Sequence, residues 1–216
     1  MLFSESITFE SGEIRSAASA PVIAAGGMDD AAFIEKLKMA DEAAFEALVD
    51  KFSGDIYALL YRLTENTEDA RDLTQDTFLR AVRAIKNFRG EAGLKTWLFR
   101  IAINESRNRF RWWKRRRRDV TISLEMPIGD SERRVADTIA AAATSPEEAT
   151  LARERENALN AALIELPAVY REAIVLCDIE GLSYEETAAA LDTRIGTIKS
   201  RISRGREELR RRLKNF

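Results

Sequence analysis

A chain of 216 residues, 45% of them hydrophobic, has enough apolar side chains for one or two packed cores. With no histidine it lacks the commonest general base and transition-metal ligand, and a single cysteine rules out an internal disulfide framework or a multi-cysteine zinc site. No apolar run is long enough to span a membrane, and glycine and proline are sparse at 10 and 4, which points to an all-α protein. No catalytic residue, metal or cofactor is therefore expected. Cys177 follows the apolar run 173–176 and reads as a small buried hydrophobe. Glu5 and Glu10 stand where a secretory signal would carry Lys or Arg, so a cytoplasmic protein without membrane insertion is expected.

In chain order, residues 1–28 are rich in Ser, Ala and Gly, lack a helical period and read as a disordered or loosely packed leader. A helical domain is expected over 29–113. Its first helix carries Phe33, Leu37 and Met39, and its second Phe45, Leu48, Val49, Phe52, Ile56, Leu59, Leu60 and Leu63. A third helix over 68–88 has Leu73, Phe78, Leu79, Val82 and Ile85 as its apolar positions. Arg89-Gly90-Glu91-Ala92-Gly93 breaks the pattern. A fourth helix then runs from near Lys95 through Trp97, Leu98, Ile101, Ala102 and Phe110 to an arginine cluster. Residues 114–146 lose the period, hold Pro127, Gly129 and Pro146, and read as a flexible linker. Ser145-Pro146-Glu147-Glu148 has the cap, the first-turn proline and the acids of a helix start, and opens a second helical domain over 147–216.

Pro167 marks the next break, and Ser183 stands three positions before Glu186, the spacing of a capping box. Asp192-Thr193-Arg194 makes a turn. The last helix starts near Gly196-Thr197, with Ile195, Ile198, Ile202, Leu209 and Leu213 as its stripe and Lys199, Arg201, Arg204, Arg206 and Arg210 on its other faces. The expected fold is thus two small helical domains joined by a linker.

The net charge of −2 hides a polarity. Twelve acids stand against five bases over residues 29–72, whereas 107–118 hold eight bases and no acid. Three stations follow from this distribution. The last helix suits a major groove, with Lys199, Ser200, Arg201, Ser203 and Arg204 near its start. A basic stripe alone would read as a solvated face, but the turn and the capped preceding helix favour DNA. Residues 95–118 interleave Trp97, Phe99, Phe110, Trp112 and Trp113 with Asn104, Arg107, Asn108, Arg109 and Arg111. That pattern suits stacking on single-stranded nucleic acid, or a buried aromatic core with a basic end; Trp97 shares a face with Ile101 and so reads as core. The helix bearing Glu68, Asp69, Asp72, Gln75 and Asp76 has an acidic face that fits a basic protein partner or plain solvent equally well.

Asp69-Ala70-Arg71-Asp72-Leu73-Thr74-Gln75-Asp76-Thr77-Phe78, then Phe88-Arg89-Gly90, then Lys95-Thr96-Trp97-Leu98-Phe99-Arg100-Ile101-Ala102-Ile103-Asn104, closely resembles region 2 of extracytoplasmic-function (ECF) sigma factors of the sigma-70 family. Leu166-Pro167, Tyr170-Arg171-Glu172-Ala173, Gly181-Leu182-Ser183-Tyr184-Glu185-Glu186 and Gly196-Thr197-Ile198-Lys199-Ser200-Arg201 resemble region 4 of the same family. The resemblance covers roughly residues 29–113 and 147–213.

The resemblance implies an RNA polymerase subunit that selects promoters. Glu68, Asp69, Asp72, Gln75, Asp76 and Phe78 would dock on the clamp helices of the largest core polymerase subunit. The loop 87–95, with Phe88, Arg89 and Lys95, would capture a flipped base of the minus-ten element, Trp97 just beyond it would be a further minus-ten contact, and Asn104, Arg107, Asn108 and Arg111 would line the adjoining single-strand path. Thr197, Lys199, Ser200, Arg201, Ser203 and Arg204 would read the minus-thirty-five element as duplex. The linker would thread toward the RNA exit path. An anti-sigma factor, able to hold the protein at the membrane, and a stress- or envelope-response role are expected of such a protein. A self-sufficient helix-turn-helix regulator is the second reading. An enzyme acting on nucleic acid is the third, and it lacks histidine, a metal-ligand cluster and a phosphate-cradling glycine loop.

Overall fold

The computed structural model describes residues 28–119 and 146–213, so the expected leader up to residue 27 and most of the expected linker lie outside the described residues. Among the described residues every regular element is helical. The first half comprises α1 (Met28–Lys38), α2 (Glu42–Thr64), α3 (Thr67–Ala84), a 3₁₀ turn (Ile85–Asn87) and α4 (Leu94–Asp119). Side-chain caps set two of the starts. Asp41 accepts from the Ala44 amide at 2.8 Å to open α2, and Asn66 accepts from the Asp69 amide at 2.9 Å to open α3.

Leu48, Ile56, Leu59, Leu60, Leu73, Leu98, Phe99 and Ile103 are buried together where α2, α3 and α4 meet. Two apolar expectations for α3 do not hold: Leu79 and Val82 are 51% and 45% exposed. The inward stripe is Ala70, Leu73, Thr77, Phe78 and Ala81, a continuous 3.6-residue period, and Leu79 and Val82 fall beside it. Val49 is likewise exposed. Met39 is exposed rather than part of a helical stripe, because α1 ends at Lys38 and Ala40 turns the chain with a φ of 61°. α4 continues to Asp119, past the expected boundary at 113. Neither glycine nor proline interrupts this stretch, and cations suit the carboxyl end of a helix dipole.

The second half comprises α5 (Pro146–Ile164), α6 (Ala168–Ile174), a π-helical turn (Val175–Ile179), α7 (Tyr184–Leu191) and α8 (Ile195–Leu213). Leu163, Leu166, Ala173, Ile174, Leu176, Leu191, Ile198 and Ile202 form its core. α8 crosses α6 closely at Gly205, where a Cβ would lie 2.9 Å from Ile174 Cγ1 and 3.3 Å from Tyr170 Cβ. A glycine inside a helix costs about 1 kcal/mol relative to alanine, and the close crossing is what that cost permits. The halves are packed on one another, α4 against α7 and α2 against α5 and α6.

Candidate nucleic-acid interface

The helix-turn-helix is locally well determined. Ser183 Oγ accepts from the Glu186 amide at 3.1 Å while Glu186 Oε2 accepts from the Ser183 amide at 2.9 Å, a reciprocal cap on α7 worth about 1 kcal/mol. Asp192 ends α7 in the left-handed region at φ 52°, and the chain re-enters helix at Ile195. Ile198, Ile202 and Leu209 face the core, whereas Ile195 is exposed. Lys199, Ser200, Ser203 and Arg204 are exposed along one side of α8, with Thr197 and Arg201 half-buried beside them. Ser200 Oγ donates to the Thr197 carbonyl at 2.8 Å. Arg206 belongs to the scaffold instead. Its Nε and Nη2 donate to Asp178 at 3.0 and 2.6 Å, tying α8 to the π-helical turn, and the Asp178 carboxylate holds its pKa above the ordinary arginine range.

The residues expected at the single-strand station are differently placed. Phe88 is buried against Trp97, ring centroids 5.1 Å apart. Arg89 and Glu91 are exposed on that loop, 3.9 Å apart, and Gly90 supplies its turn with a φ of 74°. Lys95 lies 2.7 Å from Asp55 and 5.2 Å from the Phe99 ring centroid. Asn104 is exposed, and Asn108 Oδ1 accepts from Arg111 Nη2 at 2.5 Å. Arg107 is half-buried. It donates through Nε and Nη2 to Glu172 on α6 at 2.9 and 2.6 Å, and that hydrogen-bonded carboxylate holds its pKa above the ordinary arginine range. Further along α4, Phe110, Trp112 and Trp113 are 69%, 43% and 45% exposed, with the Arg116 guanidinium 4.8 Å from the Trp112 ring centroid. A groove of about 900 Å³ between α3 and α4 brings Asp76, Asn108, Arg109, Arg111 and Trp112 together.

On α3, Glu68, Asp72, Gln75 and Asp76 are exposed, Asp69 is half-buried and Phe78 is buried. Arg109 of α4 reaches back to three of the acids, 3.3 Å from Asp69, 3.6 Å from Asp72 and 4.0 Å from Asp76. The acidic face is therefore partly neutralised from within the molecule. Beside it, Val49, Thr74, Gln75, Phe78, Leu79 and Val82 line a second groove of about 540 Å³.

Sequence reasoning passes over the side chains that join the halves. Arg171 donates to the carbonyls of Leu163, Ile164 and Leu166, where α5 ends, and to the Leu63 carbonyl of α2 at 2.8 Å. Burial lowers its pKa. Arg62 Nη1 donates to Glu180 Oε1 at 3.2 Å, and burial raises the pKa of that carboxyl. The one signal in the sequence is the Tyr170-Arg171-Glu172-Ala173 motif, in which a cation and an anion stand together in an otherwise apolar helix start. Cys177 is half-buried, and burial together with Asp178 pushes its thiol up to about 11. Among the described residues no helix is long and apolar enough to cross a membrane, and no His/Cys/Asp/Glu group could hold a metal ion.

Comparison with known proteins gives a consistent picture. Residues 48–118 match the family model for Sigma-70 region 2, and residues 156–209 match that for Sigma-70, region 4. The RNA polymerase sigma-H factor of Pseudomonas aeruginosa is 36% identical over 180 residues, covering 83% of this chain and 91% of that one. The ECF RNA polymerase sigma-E factor of Haemophilus influenzae is 34% identical over 186 residues, covering 86% and 96%. Among solved structures, the sigma factor RpoE in complex with the anti-sigma factor NepR from Bartonella quintana is similar with a TM-score of 0.59 at 30% identity, covering 79% of this chain and 96% of that one. Two family models in order along a chain whose described elements are all helical, with relatives matched over nearly their whole length, show that the chain belongs to the ECF group of the sigma-70 family, and that it is a transcription-initiation factor rather than an enzyme.

Proposed function

We propose that the chain directs core RNA polymerase to promoters through two elements, reading the minus-thirty-five element as duplex with α8 and holding the minus-ten element unpaired on α4. The observation that carries this reading is the open side of α8, where Lys199, Ser200, Ser203 and Arg204 stand exposed behind a fully capped α7. Thr197 and Arg201 complete the duplex face. The loop between the 3₁₀ turn and α4, together with Phe88, Arg89, Lys95 and Trp97, captures the flipped base, and Asn104, Arg107, Asn108 and Arg111 follow the strand. Extrusion costs a few kcal/mol per base, which stacking and cations can offset.

Core polymerase docks on α3. Glu68, Asp69, Asp72, Gln75 and Asp76 meet a basic surface, and the groove lined by Phe78, Leu79, Val82 and Val49 supplies the apolar centre that a polar rim surrounds in specific interfaces. Two weak contacts on one chain reinforce each other through effective concentration, so little affinity for free DNA is needed. An anti-sigma factor restrains the protein, a reading supported by the similarity to a sigma factor bound by one. The protein acts in the cytoplasm on stress- or envelope-response genes.

The test is reconstitution. Core polymerase supplemented with the purified chain should start transcripts at discrete positions on genomic DNA fragments. Failure of the chain to co-elute with core polymerase, together with no new start sites, would contradict the reading.

A further inference from the structure

Past Arg107, whose bond to Glu172 marks the seam between the two halves, α4 runs on to Asp119. Residues 110–116 of that stretch are all exposed. Three of them are large aromatics, Phe110 at 69%, Trp112 at 43% and Trp113 at 45% exposure. The indoles of Trp112 and Trp113 meet edge to face, ring centroids 5.2 Å apart, and the Arg116 guanidinium stands 4.8 Å from the Trp112 ring centroid. Residues 107–118 carry eight bases and no acid in a chain whose net charge is −2. An α-helix turns about 100° per residue, so Asn104, Asn108, Arg111 and Arg115 share an arc of about 60°. Phe110 and Trp113 fall on the opposite side, with Lys114 and Arg116 on either flank of the pair and Trp112 between the two sides. A strand lying along Asn104, Asn108 and Arg111 leaves Phe110 and Trp113 uncovered.

We propose that this end of α4 is a docking surface for an anionic lipid bilayer. Phe110 and Trp113 lie at the boundary between head groups and acyl chains, and Lys114 and Arg116 meet lipid phosphates. Aromatic side chains with an apolar body and, in tryptophan, one polar N–H concentrate at that boundary, and basic residues beside them add attraction to an anionic leaflet. The pairing of the two is what selects this partner. A nucleic-acid backbone satisfies the cations but leaves the Phe110 ring in water, whereas a bilayer covers both. Among the described residues no helix is long and apolar enough to cross a membrane, so the contact is peripheral. Such a contact holds the free chain at a membrane through its own surface, and salt weakens it.

The test uses the full chain with two sets of vesicles, one of phosphatidylcholine and one of equal parts phosphatidylcholine and phosphatidylglycerol. Co-sedimentation with the anionic set should exceed that with the neutral set by about tenfold or more, fall as sodium chloride is raised, and bring a shift of tryptophan emission to shorter wavelength. Phe110→Ser combined with Trp113→Ser should weaken binding to the anionic set about tenfold, and Lys114→Glu combined with Arg116→Glu at least as much. All four side chains are exposed; if either pair of substitutions lowers helical content by circular dichroism, the other pair decides. Absence of wild-type binding to the anionic vesicles overturns the proposal. Binding that the aromatic pair leaves unchanged overturns it too, since it is then adhesion of cations alone. If a random-sequence oligonucleotide, single-stranded or duplex, shifts the emission and the vesicles do not, the surface belongs to nucleic acid and the proposal falls. Transcription by core polymerase with the same preparation reads the promoter function separately, so discrete starts without vesicle binding remove the lipid surface alone.

Discussion

The two proposed nucleic-acid faces of this chain differ in what their cations already touch. On α8, Lys199 and Arg204 stand exposed, and Arg206, which is bound, sits where the helix meets the π-helical turn. On α4, Lys95 meets Asp55, Arg107 meets Glu172, and Arg109 meets Asp69, Asp72 and Asp76. Position explains the contrast. Among the described residues the open side of α8 has no element across from it, whereas α4 lies against both α3 and α7 and comes within reach of acids on α3 and α6. A run of arginines in a sequence is therefore not the same thing as a phosphate-binding surface.

The sharpest way to break this contrast is at its hub. Arg171→Ala leaves the carbonyls of Leu63, Leu163, Ile164 and Leu166 without their shared donor, and should cost about 3–5 kcal/mol of stability in urea unfolding. A cost below about 1 kcal/mol would mean that water replaces the guanidinium and that the seam is looser than described.

Within α8 itself, Arg204→Ala and Arg206→Ala should separate. Arg204→Ala should weaken binding to the minus-thirty-five element by about tenfold or more at unchanged melting temperature. Arg206→Ala should do the reverse, losing about 1–2 kcal/mol of stability with its Asp178 pair while leaving element preference intact. A shared phenotype would show that the two arginines are not divided between reading and scaffold.

Smaller still is Gly205→Ala. The new methyl must displace Ile174, at about 1–3 kcal/mol for an overpacked contact, and the gain in helix propensity returns about 1 kcal/mol. A fall in melting temperature of a few degrees is expected, confined to the unit containing α8. The smallest effect concerns Cys177. With its thiol pushed up to about 11 from an ordinary 9.0, alkylation by iodoacetamide at neutral pH should run about a hundredfold slower than for an unhindered thiol, and should quicken only as the pH climbs toward 11. Fast alkylation near pH 7 would mean that the α6–α8 side opens readily.

Local signals in the amino-acid sequence account for several of these features. The reciprocal cap of Ser183 and Glu186, the proline-led start of α5 and the turn at Asp192 are encoded within four residues of sequence, and each stands where the local pattern puts it. Helix interiors follow the 3.6 period, but their edges do not: Leu79 and Val82 are apolar by composition and exposed by angle. The end of α4 is harder to read, because a block of cations looks like a linker even where helix propensity and the helix dipole both favour its continuing. The seam is out of reach for a different reason. Arg107 and Glu172 are separated by 65 residues, and Arg109 and Asp69 by 40, and no local period links them.

The proposed function divides labour between two helices, with α8 on the duplex and α4 on the unpaired strand. It is tested most directly by two readouts on one promoter bound by the assembled holoenzyme: nuclease protection of the minus-thirty-five element and permanganate reactivity of thymines in the minus-ten element. Arg204→Ala should reduce the upstream protection, while the complexes that remain bound keep their permanganate reactivity. Asn104→Ala should keep the protection and lose the reactivity. If each substitution depresses both signals in parallel, the two faces do not have separate tasks and the division is wrong.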